Sequence, residues 1–324
     1  MDNPLQKICG RLAPSPTGAL HLGNIRTFMI TWLLARSRGG ALAMRIEDLD
    51  HPKNKPGAVE GMINDLRWLG FDWDEGYGCG GDDGEYIQSR RVDLYAEALE
   101  KLKTQNLVYP CICSRKDVES GLSAPHSDEC LFYSGTCRGK YRDFRSAQAA
   151  LPDGRIPAWR FKVPEGESVS FVDSFCGEYS QVPSEVSGDF VLARHELGAG
   201  YMLAVVMDDA AMGINQIVRG DDLLCATPRQ ILIYRALGLE VPEYIHLPLV
   251  VGPDGRRLAK RHGDTRVSFF REAGVSPEKI IGALAVSCGW AEAGEELKLA
   301  DLLPRFDLNL LPHEPFVWHD ELLR

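Results

Sequence analysis

The chain has 324 residues, 44% of them hydrophobic, and a formal net charge of −10, which allows one large domain or two ordinary ones with a substantial buried core. The acidic balance excludes a protein that coats nucleic acid through many phosphate-facing cations. There is no run of eighteen apolar residues and no leader pattern at Met1 to Gly10, and the nine cysteines are an odd count in a long chain, so membrane insertion and a disulfide framework are disfavoured and a cytoplasmic enzyme with reduced thiols is expected.

In chain order, Gly10 to Thr17 reads as a short strand entering a turn rich in proline (Pro14, Pro16, then Gly18), which delays any helix until Leu20. Ile25, Phe28, Met29, Trp32 and Leu33 then recur at helical spacing, and Gly39-Gly40 supplies a stop. From Ala41 to Glu47 the pattern alternates, with Leu42, Met44 and Ile46 on one face of a strand and Ala43, Arg45 and Glu47 on the other. Strand, helix and strand in this order predict the opening of a parallel α/β sheet. Another amphipathic helix is expected from Val92 to Gln105. At Tyr109-Pro110 the texture changes to a cysteine-bearing, loop-rich stretch reaching Lys140, read as an insertion, and strand-like runs follow at Trp159 to Val163 and Ser168 to Val172. The apolar run Tyr201 to Met207, ending in Asp208-Asp209, predicts a central strand covered on both faces. Further strands are expected at Ile217-Val218 and Tyr244 to Val251, with a helix from Pro228 to Leu237 between them. Beyond Phe269 the chain reads as helices, including Pro277 to Cys288.

The run Arg11-Leu12-Ala13-Pro14-Ser15-Pro16-Thr17-Gly18-Ala19-Leu20-His21-Leu22-Gly23-Asn24 sits at a strand-to-helix turn. Ligands of parallel sheets bind above the carboxyl ends of the strands, where a helix N-terminus offers free N–H groups to phosphate. His21 and Asn24 are three apart and share a helix face, and Gly23 leaves room beside the backbone. Singly, each residue has a structural explanation, since a His at a helix start is often a cap; the whole run is much harder to explain that way.

This run resembles the HIGH-type signature of class I aminoacyl-tRNA synthetases in its glutamyl variant. Arg45-Ile46-Glu47-Asp48-Leu49-Asp50 is similar to the family's next signature, and Tyr201, Asp208-Asp209, Val218-Arg219-Gly220-Asp221-Asp222 and His246-Leu247-Pro248-Leu249 follow in order. Arg257-Leu258-Ala259-Lys260-Arg261 stands in place of the KMSKS loop, with Arg for the usual first Lys and Ala for a Ser. The resemblance spans Gly10 to His262 and is specific as an ordered set. It implies an α/β fold with a Rossmann-like catalytic domain split between residues 1–105 and 190–262, a zinc-bearing insertion at 106–189 and a short helical region at 263–324, without an anticodon-binding domain.

The resemblance also implies the chemistry. Arg11 and Arg219 would hold the γ-carboxylate of L-glutamate, a task suited to guanidinium groups, with Glu47 and Tyr201 near the α-ammonium and Leu12, Ala13, Pro14 and Ser15 completing the amino-acid site. Pro14, Thr17, His21, Gly23, Asn24 and Lys260 would contact ATP, which magnesium should accompany, with His21, Asn24 and Lys260 as catalytic groups. The substrate carboxylate is already ionised, so catalysis reduces to positioning and electrostatics.

Cys111-Ile112-Cys113, nineteen intervening residues and Tyr133-Ser134-Gly135-Thr136-Cys137 make one structural zinc site plausible. Buried free cysteines are the plainer reading of these residues alone. The pattern is similar to that of the glutamyl-queuosine tRNA(Asp) branch of the family, in which Tyr133 would be the fourth ligand; His126 or Cys130 could take its place. Two basic runs, Arg138, Lys140, Arg142 and Arg145, and Arg256, Arg257, Lys260, Arg261 and Arg266, are candidate tRNA contacts, although a charge run is ordinarily a solvated surface. Only 64 residues follow Lys260. The expectation is therefore a monomeric ligase that activates glutamate with ATP and transfers it to the queuosine base of tRNA(Asp). A glutamyl-tRNA synthetase or fragment charging the tRNA 3′ end is the alternative, and a non-catalytic binding protein descended from a synthetase is the third reading.

Overall fold

The structure is a computed structural model describing residues 7–49, 51–80, 82–120, 132–151, 154–194, 198–256, 258 and 264–323. Lys260, Arg257, Ala259, Arg261, His262, Asp50, His126 and Cys130 lie outside the described residues.

In chain order the elements are β1 (Cys9–Leu12), α1 (Leu22–Ser37), β2 (Ala41–Met44), α2 (Ala58–Trp68), β3 (Glu75–Gly76), α3 (Val92–Thr104), β4 (Val108–Cys111), α4 (Arg115–Ser120), α5 (Phe144–Ala149), β5 (Ala158–Phe161), β6 (Val169–Asp173), β7 (Gly177–Gln181), α6 (Pro183–Val186) and β8 (Phe190–Ala193). There follow α7 (Tyr201–Ala211), β9 (Gln216–Gly220), α8 (Thr227–Leu237), β10 (Glu243–Leu247), β11 (Val250–Val251), α9 (Val267–Glu272), α10 (Pro277–Val286) and β12 (Phe316–Val317). The glycine stop after α1 is realised by Gly39 at φ +62, a conformation that costs glycine little.

Strands β1, β2 and β3 pair in parallel, and β9, β10 and β6 form a second parallel set with β7 antiparallel at its edge. The two sets abut at β1 and β9. There the Cys9 backbone N–H donates to Asn215 Oδ1 at 2.8 Å, and the Asn215 N–H donates back to the Cys9 carbonyl at 3.1 Å. Chain order reverses at this seam, the place where open α/β sheets bind ligands.

Period-two alternation assigns the faces. Leu12, Leu42, Met44, Val218, Ile245 and Leu247 belong to a core shared with α1, α2 and the C-terminal segment, where Ile280, Leu284, Leu302 and Trp318 are also buried. Ala43, Ile217 and Tyr244 face a second core with α3, α7 and α8. Residues two apart on a strand share a face, so Arg45, Arg219 and His246 all point to the side of α7 and α8.

The sequence places Tyr201 to Met207 in a central strand; it is instead helix α7, with Leu203, Ala204, Val205 and Val206 buried. A helix packed on all sides has an unbroken apolar run, as a doubly covered strand does, and periodicity cannot separate the two. The C-terminal segment is likewise not purely helical, because β12 pairs in parallel with β11. Strand pairing also crosses the boundary drawn between 189 and 190: β8 completes an antiparallel sheet with β4 and β5, whereas β6 joins the main sheet beside β10. Among the described residues, no helix is long and apolar enough to cross a membrane, and none of the eight described cysteines is joined in a disulfide.

Candidate active site

The last turn of α7 places Asp208 and Asp209, both fully buried, under the sheet face that carries the arginines. Arg45, also fully buried, reaches Asp209 at 2.7 Å, Glu47 at 3.1 Å and Asp208 at 3.9 Å. Asp208 is further held by Arg91 at 2.7 Å, Gln88 at 2.8 Å and the Tyr95 hydroxyl at 2.8 Å. Buried carboxylates at a helix C-terminus oppose the helix dipole, so they need cations this close. Arg11 is tied to the same hub, with its Nε 3.4 Å from Asp209 and its Nη1 donating to the Val218 carbonyl at 3.1 Å across the seam.

Arg219, at the end of β9 and 5% exposed, is bound differently. Its Nε donates to His246 Nε2 at 2.9 Å, its Nη1 to Gln230 Oε1 at 2.8 Å and its Nη2 to Thr227 Oγ1 at 2.6 Å. None of these acceptors is a carboxylate. A guanidinium has five N–H donors, so three bonds leave part of the fork for something else. Burying a cation without a counter-charge is costly, and Arg219 lines a cleft of about 1270 Å³ from which an anion can supply one. On the same cleft, burial pushes the Glu47 carboxyl above its ordinary range, with Arg45 and then Arg11 opposing. Tyr201 opens onto the cleft at 44% exposure.

Of the residues expected at the site, Arg11, Ala13, Pro14, Ser15, Thr17 and His21 line this cleft. Gly23, Asn24, Glu47, Tyr201 and Arg219 line it too, whereas the Leu12 side chain is fully buried in the core. His21 is the N-cap of α1, and its backbone N–H reaches the Asn24 side-chain oxygen at 3.4 Å. At Gly23 an added Cβ would lie 3.3 Å from His21 Nδ1 and 3.7 Å from Val250 Cβ, so packing within the protein also favours glycine there. The Leu22 N–H donates to the Thr265 carbonyl at 3.0 Å and the Val267 N–H to that of Leu20 at 2.9 Å, which ties this turn to the segment just after residues 259–263. Sequence reasoning assigned no site role to Lys55, an exposed cation on the cleft, or to Asp173, Thr227 and Gln230, which are buried.

The three thiols of Cys111, Cys113 and Cys137 lie within 4.8 Å of one another, with Cys113 and Cys137 3.5 Å apart. The Tyr133 hydroxyl is 3.3 Å from Cys111 Sγ and 3.7 Å from Cys113 Sγ, and the Cys137 N–H donates to it at 2.9 Å. A tetrahedral zinc with ordinary bond lengths would place its sulfurs about 3.8 Å apart and an oxygen ligand about 3.5 Å from each sulfur, so this donor set fits zinc. Burial pushes the Cys113 thiol up to about 12. Burial acts the same way on Cys137, but hydrogen bonds from the Ile112 backbone and Tyr133 hold its thiol below the ordinary value. Around this cluster, Arg160 Nε donates to Cys111 Sγ at 3.2 Å, Arg160 Nη1 donates to the Asp189 carbonyl at 2.9 Å, and the guanidinium carbon stacks 3.8 Å from the Tyr133 ring centre. Such outer contacts orient metal ligands. Of the basic run beside this cluster, Arg138 is engaged by Asp189, while Lys140, Arg142 and Arg145 are exposed.

Residues 7–323 match the family of class I tRNA synthetases (E and Q), catalytic domain, and the chain belongs to it, as a ligase-type enzyme. A glutamate-tRNA synthetase structure from Elizabethkingia anophelis superposes with a TM-score of 0.82 at 28% identity, covering 98% of this chain and 69% of that one. A Glutamyl-Q tRNA(Asp) synthetase of Symbiobacterium thermophilum is 48% identical over 95% of both chains, and one of Nitratidesulfovibrio vulgaris is 43% identical over 98% of this chain and 97% of its own. A glutamate--tRNA ligase of Aquifex aeolicus is 39% identical over 99% of this chain and 66% of its own length.

Proposed function

We propose that the chain activates L-glutamate with ATP and passes the glutamyl group to the queuosine base in the anticodon of tRNA(Asp). The observation that carries the first half is Arg219, a buried guanidinium on a cleft wall whose hydrogen-bond partners among the described residues are all uncharged. The γ-carboxylate of glutamate is the counter-charge it lacks, assisted by Arg11, and a neutral amide would leave that charge uncompensated. Glu47 and Tyr201 would receive the α-ammonium. A carboxylate oxygen of glutamate attacks the α-phosphorus of ATP, the bond to the bridging oxygen breaks, and pyrophosphate leaves with the electron pair. His21 and Asn24 at the start of α1 would hold the phosphates and ribose, with Pro14, Thr17 and Gly23 shaping the site. Lys260 would offset the growing negative charge, and magnesium accompanying the ATP supplies further charge neutralisation.

The second half rests on the relatives named Glutamyl-Q tRNA(Asp) synthetase, which match this chain along nearly the full length of both. We read the thiol cluster as a zinc site completed by Tyr133, which would brace the small sheet of β4, β5 and β8. Charging the 3′ end of a tRNA is the second reading, supported by the Aquifex aeolicus relative. Glutamate-dependent exchange of pyrophosphate into ATP, run with and without tRNA, tests the activation step. Labelled glutamate offered with tRNA(Asp) bearing queuosine, the same tRNA without it and tRNA(Glu) tests the acceptor. Label on tRNA(Glu) alone overturns the proposal in favour of the second reading, and no exchange under any condition leaves only a binding protein.

A further inference from the structure

The bond from Arg219 to His246 continues into a buried relay. His246 Nδ1 lies 2.6 Å from Asp173 Oδ2, and the side chains of His246 and Asp173 are both fully inaccessible. Asp173 is held in turn by the backbone N–H groups of Phe175 at 3.0 Å and Cys176 at 2.7 Å. Arginine Nε–H can only donate, so His246 Nε2 must be the bare nitrogen and Nδ1 must carry the proton given to Asp173. We infer that His246 is a positioning residue for glutamate selection: in this tautomer it supplies the acceptor that fixes the Arg219 fork for a carboxylate. The inference rests on reading the cleft as a glutamate-activating site.

The groups facing the His246 ring are Asp173 and Phe171 from β6, Arg219 from β9, Thr227 from α8, Tyr244 from its own strand and, at longer range, Asp222 after β9. Burial, reinforced by Arg219 and opposed by Asp173, holds the imidazole below its ordinary value of 6.5. Protonation would turn Nε2 into a donor, remove the acceptor for Arg219 Nε–H and set a second cation beside the guanidinium. The γ-carboxylate of free glutamate stays ionised through this range, so weaker binding at low pH would come from the protein. Glu47 also titrates upward through burial and must be separated experimentally.

The test measures KM and kcat for glutamate in pyrophosphate exchange from about pH 8 down to about pH 5.5, together with calorimetric glutamate binding and a thermal melt for each variant. Wild-type KM should rise as pH falls below His246's ordinary range, with kcat changing less. His246→Asn keeps a donor near Nδ1 but lacks the distal acceptor, and should raise KM about tenfold or more, the loss expected for a hydrogen bond to a charged group. His246→Gln presents an acceptor in place of Nε2 and cannot titrate; it should recover most of the affinity and lose the low-pH rise. A purely structural role would lower the melting temperature and kcat in both variants without splitting KM from kcat. Unchanged KM in His246→Asn, or a low-pH rise that survives in His246→Gln and so belongs to Glu47, overturns the inference and leaves the function standing. A wild type that binds no glutamate overturns both. Should neither variant fold, nitrogen NMR of labelled wild-type histidines decides, and an Nε2–H tautomer at His246 refutes the relay.

Discussion

Replacing Arg45 with Met removes a cation that three carboxylates share. Asp208 would keep Arg91, Gln88 and Tyr95. Among the described residues, Asp209, fully buried, would keep only the 3.4 Å approach of Arg11, and Glu47 would lose its 3.1 Å partner at 13% side-chain exposure. The chief damage is therefore one stranded buried charge at Asp209, and removing one partner of a buried pair costs about 3–5 kcal/mol, a large share of the 5–15 kcal/mol that holds a typical domain together. Urea unfolding of the full chain near neutral pH should show a loss of that order. The double variant Arg45→Met, Asp209→Asn should recover part of it, with a coupling of about 1–3 kcal/mol, because neither charge is then stranded. A loss below about 1 kcal/mol in Arg45→Met, the level of an exposed pair, or a double variant as unstable as the sum of the single ones, would refute the claim that this hub is an interdependent buried network.

Three further outcomes are expected. Purified protein should carry one zinc per chain, and the Cys111→Ser, Cys113→Ser double variant should lose both the metal and stability; elemental analysis and a thermal melt check this, and zinc retained in the double variant refutes the ligand set. Gly188 has φ +61 and an added Cβ there would fall 2.0 Å from the Tyr133 carbonyl oxygen, so Gly188→Ala should cost about 2 kcal/mol or more, whereas Gly139→Ala, at φ +74 with nothing within 4 Å, should cost less in the same denaturant titration. Burial, and after it Glu75, pushes the Cys9 thiol up to about 11 from an ordinary value of 9.0; a raised folded value means stability present below pH 9.0 and lost as pH rises toward about 11, and Cys9→Ala should flatten that decline in melts across the window.

The sequence by itself determined the elements whose pattern is local. The Gly39-Gly40 stop, the alternation of Leu42 and Met44 against Ala43 and Arg45, and the proline turn before Leu22 were all readable because glycine, proline and period-two burial act over a few residues. The motif residues around Arg11, His21, Glu47 and Arg219 were legible as an ordered set, and all four line one cleft. Helix α7 was not legible as a helix, because enclosure on all sides erases the period that distinguishes it from a covered strand. Only the tertiary structure decided how the charges pair. Asp209 meets Arg11 of β1 and Arg45 just after β2, both far away in the chain, and Asp173, 73 positions from His246, carries no local signal of its partner. Long-range pairing follows from which faces the sheet turns toward α7 and α8, and a buried charge acquires its role from the group packed against it, which neighbours in sequence do not specify.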